Sequence, residues 1–432
     1  MTTPSPQQGT GGISRRALLG AVGAGAAVAG AAAVAGYTGG SRSHATSPIA
    51  TSYPLTGAHQ GGIITPQQDH LHFASFRVTT TSREDLIALL RAWTAAAVNL
   101  TRGDDIGRGI VGGNYDAPPD DTGEVHGLGA SGLTLTFGVG RSLFVDAHGN
   151  DRFGLADRLP ERLIDLPHFP GDDLDPGRVG GDLCIQACAH DPLVATHAIH
   201  NLARMGFGTV SLIWDQLGYG RTASTTRDQT TPRNLMGFKD GTRNLHAEDT
   251  DLLNQWVWAG DDDHAWLAGG TYLVARRIRI LTNTWDRASL REQEALVGRT
   301  KGSGAPLSGG DEFTAPDFAA TGRDGAPLID PTSHVAMAHE HTSKVRILRR
   351  GYNFTDGADE LGRLNAGLFF IAFVRDPAAQ FVPMQTALAK HDVMTVEYLR
   401  STGSALFAVP PGLPTGSDLG PTGRFIADSL FS

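Results

Sequence analysis

Cysteine is nearly absent from this chain, with two in 432 residues, so a disulfide scaffold is excluded. The pair, Cys184 and Cys188, is spaced four apart. On a helix their Cβ atoms would lie about 5–6 Å apart, beyond the roughly 3.5–4.5 Å that a disulfide prefers. Both are therefore read as small buried residues. No CxxC or HExxH spacing is present, which removes the common zinc signatures. Long runs of either charge are also missing. The net charge of −9, from 45 acidic and 36 basic residues, offers no polybasic surface, and nucleic acid is not an expected partner. What is present is a globular composition, 40% hydrophobic and 19% charged, long enough for two or three domains.

Leu, Ile and Phe are scarce in the one long uncharged stretch. Residues 14–36, SRRALLGAVGAGAAVAGAAAVAG, place Arg15 and Arg16 before a segment of Ala and Gly. A membrane-spanning helix is normally richer in large apolar residues. Weak hydrophobicity after paired arginines reads instead as a twin-arginine export signal, with signal and linker over residues 1–45. Cleavage could follow Ala35 or Ala45, and an uncleaved anchor is the alternative. The translocation machinery of that route is thus an expected partner, with an extracellular, periplasmic or cell-envelope destination. Because the route carries folded proteins, it suits a cofactor inserted beforehand.

Beyond residue 55 strands and helices alternate. HLHFASFRVTT (70–80) alternates apolar and polar, and Ser82 can cap a helix carrying Leu86, Leu89, Leu90, Trp93 and Ala97. A strand at 133–144, a helix at 191–205 and a strand at 208–219 follow. The same order returns with a strand at 270–281, a helix at 285–299, a strand at 364–376 and a helix at 383–391. The pattern predicts an α+β fold of duplicated units, each an antiparallel sheet with peripheral helices, split near residue 225 into halves 46–225 and 226–432. Residues 300–333, rich in Gly, Pro, Ser and Asp, form a long loop of a length uncommon without a function.

Three stretches carry candidate chemistry. GFKDGTRN (237–244) sets Asp240 between glycines, in a dipeptide that by itself reads as a surface turn. DPTSHVAMAHEH (330–341) holds His334, His339 and His341, which could bind zinc or be solvated. VRILRRGYNF (345–354) reads as a strand bearing Arg346, Arg349 and Arg350. Heterolytic cleavage of H2O2 requires a metal with an electron-donating axial ligand, a group that carries a proton between the two oxygens, and a cation. His, Asp and Arg can fill those places.

TGAHQGGI (56–63), GGDLCIQACAHDP (180–192), MGFKDGTRN (236–244), GGTYLVARRIRI (269–280), TSHVAMAHEH (332–341), LRRGYNF (348–354) and STGSALFAVPPG (401–412) occur in this order. Together they resemble the blocks of the exported bacterial dye-decolorizing peroxidases, with the GxxDG signature at Gly237, Asp240 and Gly241. The resemblance implies two ferredoxin-like units, the C-terminal one holding one haem b per chain. It implies His334 as the iron ligand, Asp240 and Arg349 on the opposite side, and Gly241 beside the cofactor. Arg350, as a strand neighbour of Arg349, would point away. Glu397 is placed as the acidic partner of His334, with Asp392 the second choice. His59 and Gln60 fall in a family block without a catalytic role, and the haem edge is the place considered for them. The implied substrates are H2O2 and one-electron donors such as dyes and phenols, and Tyr352 and Tyr398 are expected near the haem as electron relays. A haem-binding or iron-acquisition protein is the alternative, a zinc protein a third, and self-association is left open.

Overall fold

The computed structural model describes residues 51–419 and 422–432. The export signal and both cleavage positions lie outside the described residues.

The alternating segment becomes β1 (His70–Val78), and Ser82 caps α1 (Arg83–Arg102) by accepting from the Asp85 amide. The first half continues with β2 (Thr134–Gly140), β3 (Leu183–Ala189), α2 (Pro192–Met205) and β4 (Val210–Arg221). The second half runs through β5 (Thr271–Ile280), α3 (Leu290–Val297), α4 (His334–Ala338), α5 (Glu340–Ser343), β6 (Leu348–Arg349) and β7 (Tyr352–Ala358). It ends with β8 (Leu364–Val374), α6 (Val382–His391), α7 (Val393–Tyr398) and β9 (Leu399–Val409). The helix expected over 285–299 is shorter, because the chain turns between Thr282–Trp285 and α3, where Ser289 begins a new cap.

Within the first half the strands lie in the order β4-β1-β3-β2, and within the second β7-β8-β5-β9, the same arrangement twice. The halves do not keep separate sheets. β2 pairs with β9 at Val139–Ala408 and Gly140–Phe407, and β4 pairs with β7 at Tyr219–Asn353 and Arg221–Tyr352. Because β5 also pairs with β8, eight strands close into an antiparallel ring, with β6 added beside β8. Closure removes the edges that each half would otherwise expose. The inside is filled by Phe73, Trp214, Tyr352, Phe354, Phe369, Phe373 and Phe407. α1 and α2 pack Leu86, Leu90, Trp93, Ala198 and Leu202 on the outer face of the first half.

Cys184 and Cys188 stand on β3, not on a helix. LCIQACA is buried throughout, so its apolar residues show no period to distinguish helix from strand. Four strand residues separate the two Cα atoms by about 13 Å, and both thiols are free and buried, with burial pushing them up from the ordinary value.

Candidate functional site

Asp240 is delivered by a tight turn. The Asn234 side-chain oxygen accepts from the amides of Met236 (3.1 Å) and Phe238 (3.3 Å), and the Asn234 carbonyl accepts from Gly237 (2.9 Å). Gly237 and Gly241 both lie in the left-handed region, at φ 84° and 94°. A Cβ on Gly241 would meet the Ala223 Cα at 2.7 Å. The glycines therefore allow the chain to reverse twice while Asp240 faces inward.

Asp240 points into a cavity of about 490 Å³. Its Oδ1 accepts from Arg349 Nη1 at 2.6 Å and its Oδ2 from Asn234 Nδ2 at 3.2 Å. Arg349 sits on β6, and Asn244 clamps its backbone: the Asn244 Oδ1 accepts from the Arg349 amide (2.8 Å) while Nδ2 donates to the Arg349 carbonyl (2.9 Å). A second donation, to the Ser224 carbonyl at 2.8 Å, anchors this buried amide. Arg350 points the opposite way, as expected. It is fully buried and donates to the carbonyls of Ile63, Thr65 and Pro66 and to Gln68.

His334 opens α4 behind the Ser333 cap and lines the same cavity. Its Nδ1 is 2.7 Å from Asp392 Oδ2. Asp392 is fully buried, caps α7 through the Met394 amide and accepts from Thr395 Oγ1. Since that carboxylate accepts, Nδ1 carries the hydrogen, and in the neutral ring Nε2 keeps its lone pair. Burial alone would push His334 down. The Asp392 charge and hydrogen bond, with Asp240 contributing, outweigh it and hold His334 above the ordinary histidine value.

Asp392 thus replaces Glu397 as the partner of His334. Glu397 lies five positions further along α7 and is exposed, whereas the residue at the helix start is aimed inward by its own capping bonds. His59 and Gln60 also depart from expectation. His59 stacks on Trp258 at 3.5 Å, Gln60 bonds the carbonyls of Phe137 and Pro410, and neither lines the cavity. Gly241 does line it.

The walls are apolar, built by Phe238, Ile278, Ile280, Leu368, Phe370, Met384, Leu388 and others. Cations gather at the rim. Arg243 contacts Glu340, which also stands 3.6 Å from Arg346, and Arg299 lies beside them. The long loop closes over this side: its Glu312 contacts Lys239, and its Phe318 packs on His339 and His341 with ring centroids at 5.2 and 5.5 Å. His339 and His341 are thereby engaged with the loop, His339 at the cavity rim and His341 exposed. Among the described residues no group of His, Cys, Asp and Glu could hold a metal ion by itself. The lining offers apolar side chains, a histidine nitrogen able to ligate iron, and arginines that could pair with carboxylates, the residue types that haem would require.

Two family models, described as Dyp-type peroxidase, N-terminal and C-terminal, match residues 60–220 and 231–413. The chain belongs to the Dyp-type peroxidase family. A dye-decolorizing peroxidase of Thermobifida fusca is 36% identical over 384 residues, covering 84% of each chain. A deferrochelatase of Escherichia coli K12 is 33% identical over 422 residues, covering 95% of this chain and 97% of the relative. Among solved structures, ferric DtpA from Streptomyces lividans superposes with a TM-score of 0.79 at 34% identity, over 90% of this chain and 99% of that one. As a Dyp-type peroxidase the protein is a haem-dependent enzyme that consumes H2O2 and organic reductants.

The sequence motifs located Asp240, Arg349 and His334, and the fold brings them to one cavity. Asn234 and Asn244 were missed. Asn244 ends the quoted GFKDGTRN stretch, but an asparagine in a turn is too common to single out.

Proposed function

We propose that the cavity would hold one haem b per chain with His334 Nε2 as the protein ligand, and that Asp240 and Arg349, which line the same cavity, act on H2O2. The observation that carries this is the Arg349–Asp240 pair lining the same cavity as a histidine whose other nitrogen is held by a buried carboxylate. Haem, when bound, supplies the redox chemistry that takes up the oxidising equivalents of peroxide. Asp392 fixes the tautomer and ring orientation of His334 and raises its electron-donating power. Asp240 accepts a proton from H2O2 and returns it to the leaving oxygen, which departs as water. Arg349 stabilises the negative charge that develops as the O–O bond lengthens. The apolar walls surround these groups on the side of the cavity that would take the cofactor.

Simple haem carriage needs neither Asp240 nor Arg349. The second reading, removal of iron from haem or haem transfer, is favoured by the name of the E. coli relatives. An absorption spectrum of the purified protein, recorded before and after one equivalent of H2O2, decides between them. A Soret band that shifts within the mixing time and returns on adding a phenolic donor supports the peroxidase. Loss of the band with release of iron, or no response to peroxide, supports the other.

Export through the twin-arginine pathway belongs to the same proposal, resting on Arg15 and Arg16 ahead of the Ala- and Gly-rich stretch. Retention of a reporter in the cytoplasm after Arg15→Lys and Arg16→Lys, against export of the unaltered fusion, tests it.

A further inference from the structure

The two oxygens of Asp240 are held differently. Oδ1 meets the Arg349 guanidinium, and Oδ2 meets Asn234 Nδ2 at the longer distance of 3.2 Å. Asn234 cannot reverse its amide. Its Oδ1 is tied to two backbone donors, the amides of Met236 and Phe238, and a flip would set Nδ2 against those donors and oxygen against the carboxylate. Asn234 therefore always donates to Asp240. It also lines the cavity.

We propose that Asn234 is a positioning residue for the peroxide reaction: it holds the Asp240 carboxylate in place through Oδ2, the oxygen that receives the proton. Arg349 holds Oδ1 by the shorter contact, and the longer contact from Asn234 leaves Oδ2 a further lone pair. The other charged groups around Asp240 are accounted for. Lys239 on the same turn is paired with Glu312, Arg243 with Glu340, and His334 stands on α4, close enough to Asp240 to feel its charge. Asn234 is then the neutral donor that orients the proton acceptor. The inference rests on Asp240 being the proton acceptor.

Two variants separate this role from turn building. Asn234→Asp keeps an oxygen for the Met236 and Phe238 amides but removes the donor and faces Asp240 with a second carboxylate. Asn234→Ser keeps a hydroxyl that can accept from the Met236 amide and adds no charge, so it decides the matter if the first variant fails to fold. The readouts are haem content, Tm, and the second-order rate constant for peroxide as a function of pH. Expected are haem content and Tm near those of the unaltered protein, a lower rate in both variants and, in Asn234→Asp, an acidic limb moved to higher pH by the second carboxylate. The rate falls about tenfold on that limb, equivalent to one pH unit, and the deficit narrows as pH rises. Superimposable profiles for both variants and the unaltered protein would overturn the proposal. Asp240→Asn, run alongside, distinguishes the failures: if it too leaves the rate unchanged, the assignment of Asp240 itself falls.

Discussion

Arg349 donates to Asp240 at 2.6 Å across 109 residues of chain, and both side chains are only partly exposed. In the proposed reaction the pair couples the proton acceptor to the cation. Asp240→Asn should slow the reaction with H2O2 by about 10²–10⁴-fold with haem retained. Arg349→Leu should slow it by about 10²–10³-fold, as removal of one charge-stabilising donor does. Stopped-flow absorbance at several peroxide concentrations measures both, and rates equal to those of the unaltered protein would remove the proposed roles.

The contact between His334 and Asp392 separates loading from orientation. His334→Ala should abolish stable haem binding, and His339→Ala should not. Asp392→Asn keeps an N-cap for α7 but loses the charge beside His334. Loss of such an outer partner costs roughly 10–100-fold in affinity. Glu397→Gln, altered at an exposed position, should titrate with haem as the unaltered protein does. Equal haem affinity in the Asp392 and Glu397 variants would remove Asp392 from this role.

Asn244 provides the clamp on the Arg349 backbone. Asn244→Ala leaves one backbone amide and two carbonyls, those of Arg349 and Ser224, without their partner, where a single orphaned group costs about 1–3 kcal/mol. Denaturant unfolding should show that destabilisation, and the peroxide rate should fall although Arg349 is unaltered. A destabilised variant with an unaltered rate would limit Asn244 to holding the fold.

Gly241→Ala should be worse than Gly237→Ala. Both positions have positive φ, so alanine is strained at each. At Gly241 the new Cβ meets the Ala223 backbone at 2.7 Å, whereas at Gly237 it meets the end of the flexible Lys301 side chain at 2.8 Å. Thermal unfolding of the two variants should rank them in that order, and the reverse ranking would contradict the packing described.

The two tyrosines expected near the haem part company in the structure. Tyr352 is buried inside the strand ring. Tyr398 packs edge-on to Trp285 at 5.3 Å, Trp285 in turn meets the cavity residue Phe238 at 6.1 Å, and the Tyr398 hydroxyl donates to the exposed Glu292 at 3.1 Å. Tyr398→Phe should therefore lower oxidation of bulky dyes and remove a peroxide-induced tyrosyl signal in electron paramagnetic resonance. Tyr352→Phe should leave both in place, and a signal lost only in the Tyr352 variant would reverse the assignment.

The sequence by itself determined the repeated α+β order and three residues of the site. Alternation over 70–78 and the Ser82 cap are local properties of neighbouring residues, and the motifs around Asp240, His334 and Arg349 are contiguous. Tertiary structure decided what depends on distant partners. Strands β2 and β9 could each pair with many others, and only the packed fold closes them into one ring. LCIQACA became a strand because β1 and β2 hold it on both sides. Asp392 rather than Glu397 reaches His334 because the residue at the start of α7 is buried beside α4 while Glu397, further along, is exposed. Asn234 and Asn244 gained their roles only through the atoms they face, Asp240 Oδ2 and the Arg349 backbone. A hydrogen bond depends on position within a few tenths of an ångström, and residue order along the chain does not set that distance until the core has closed.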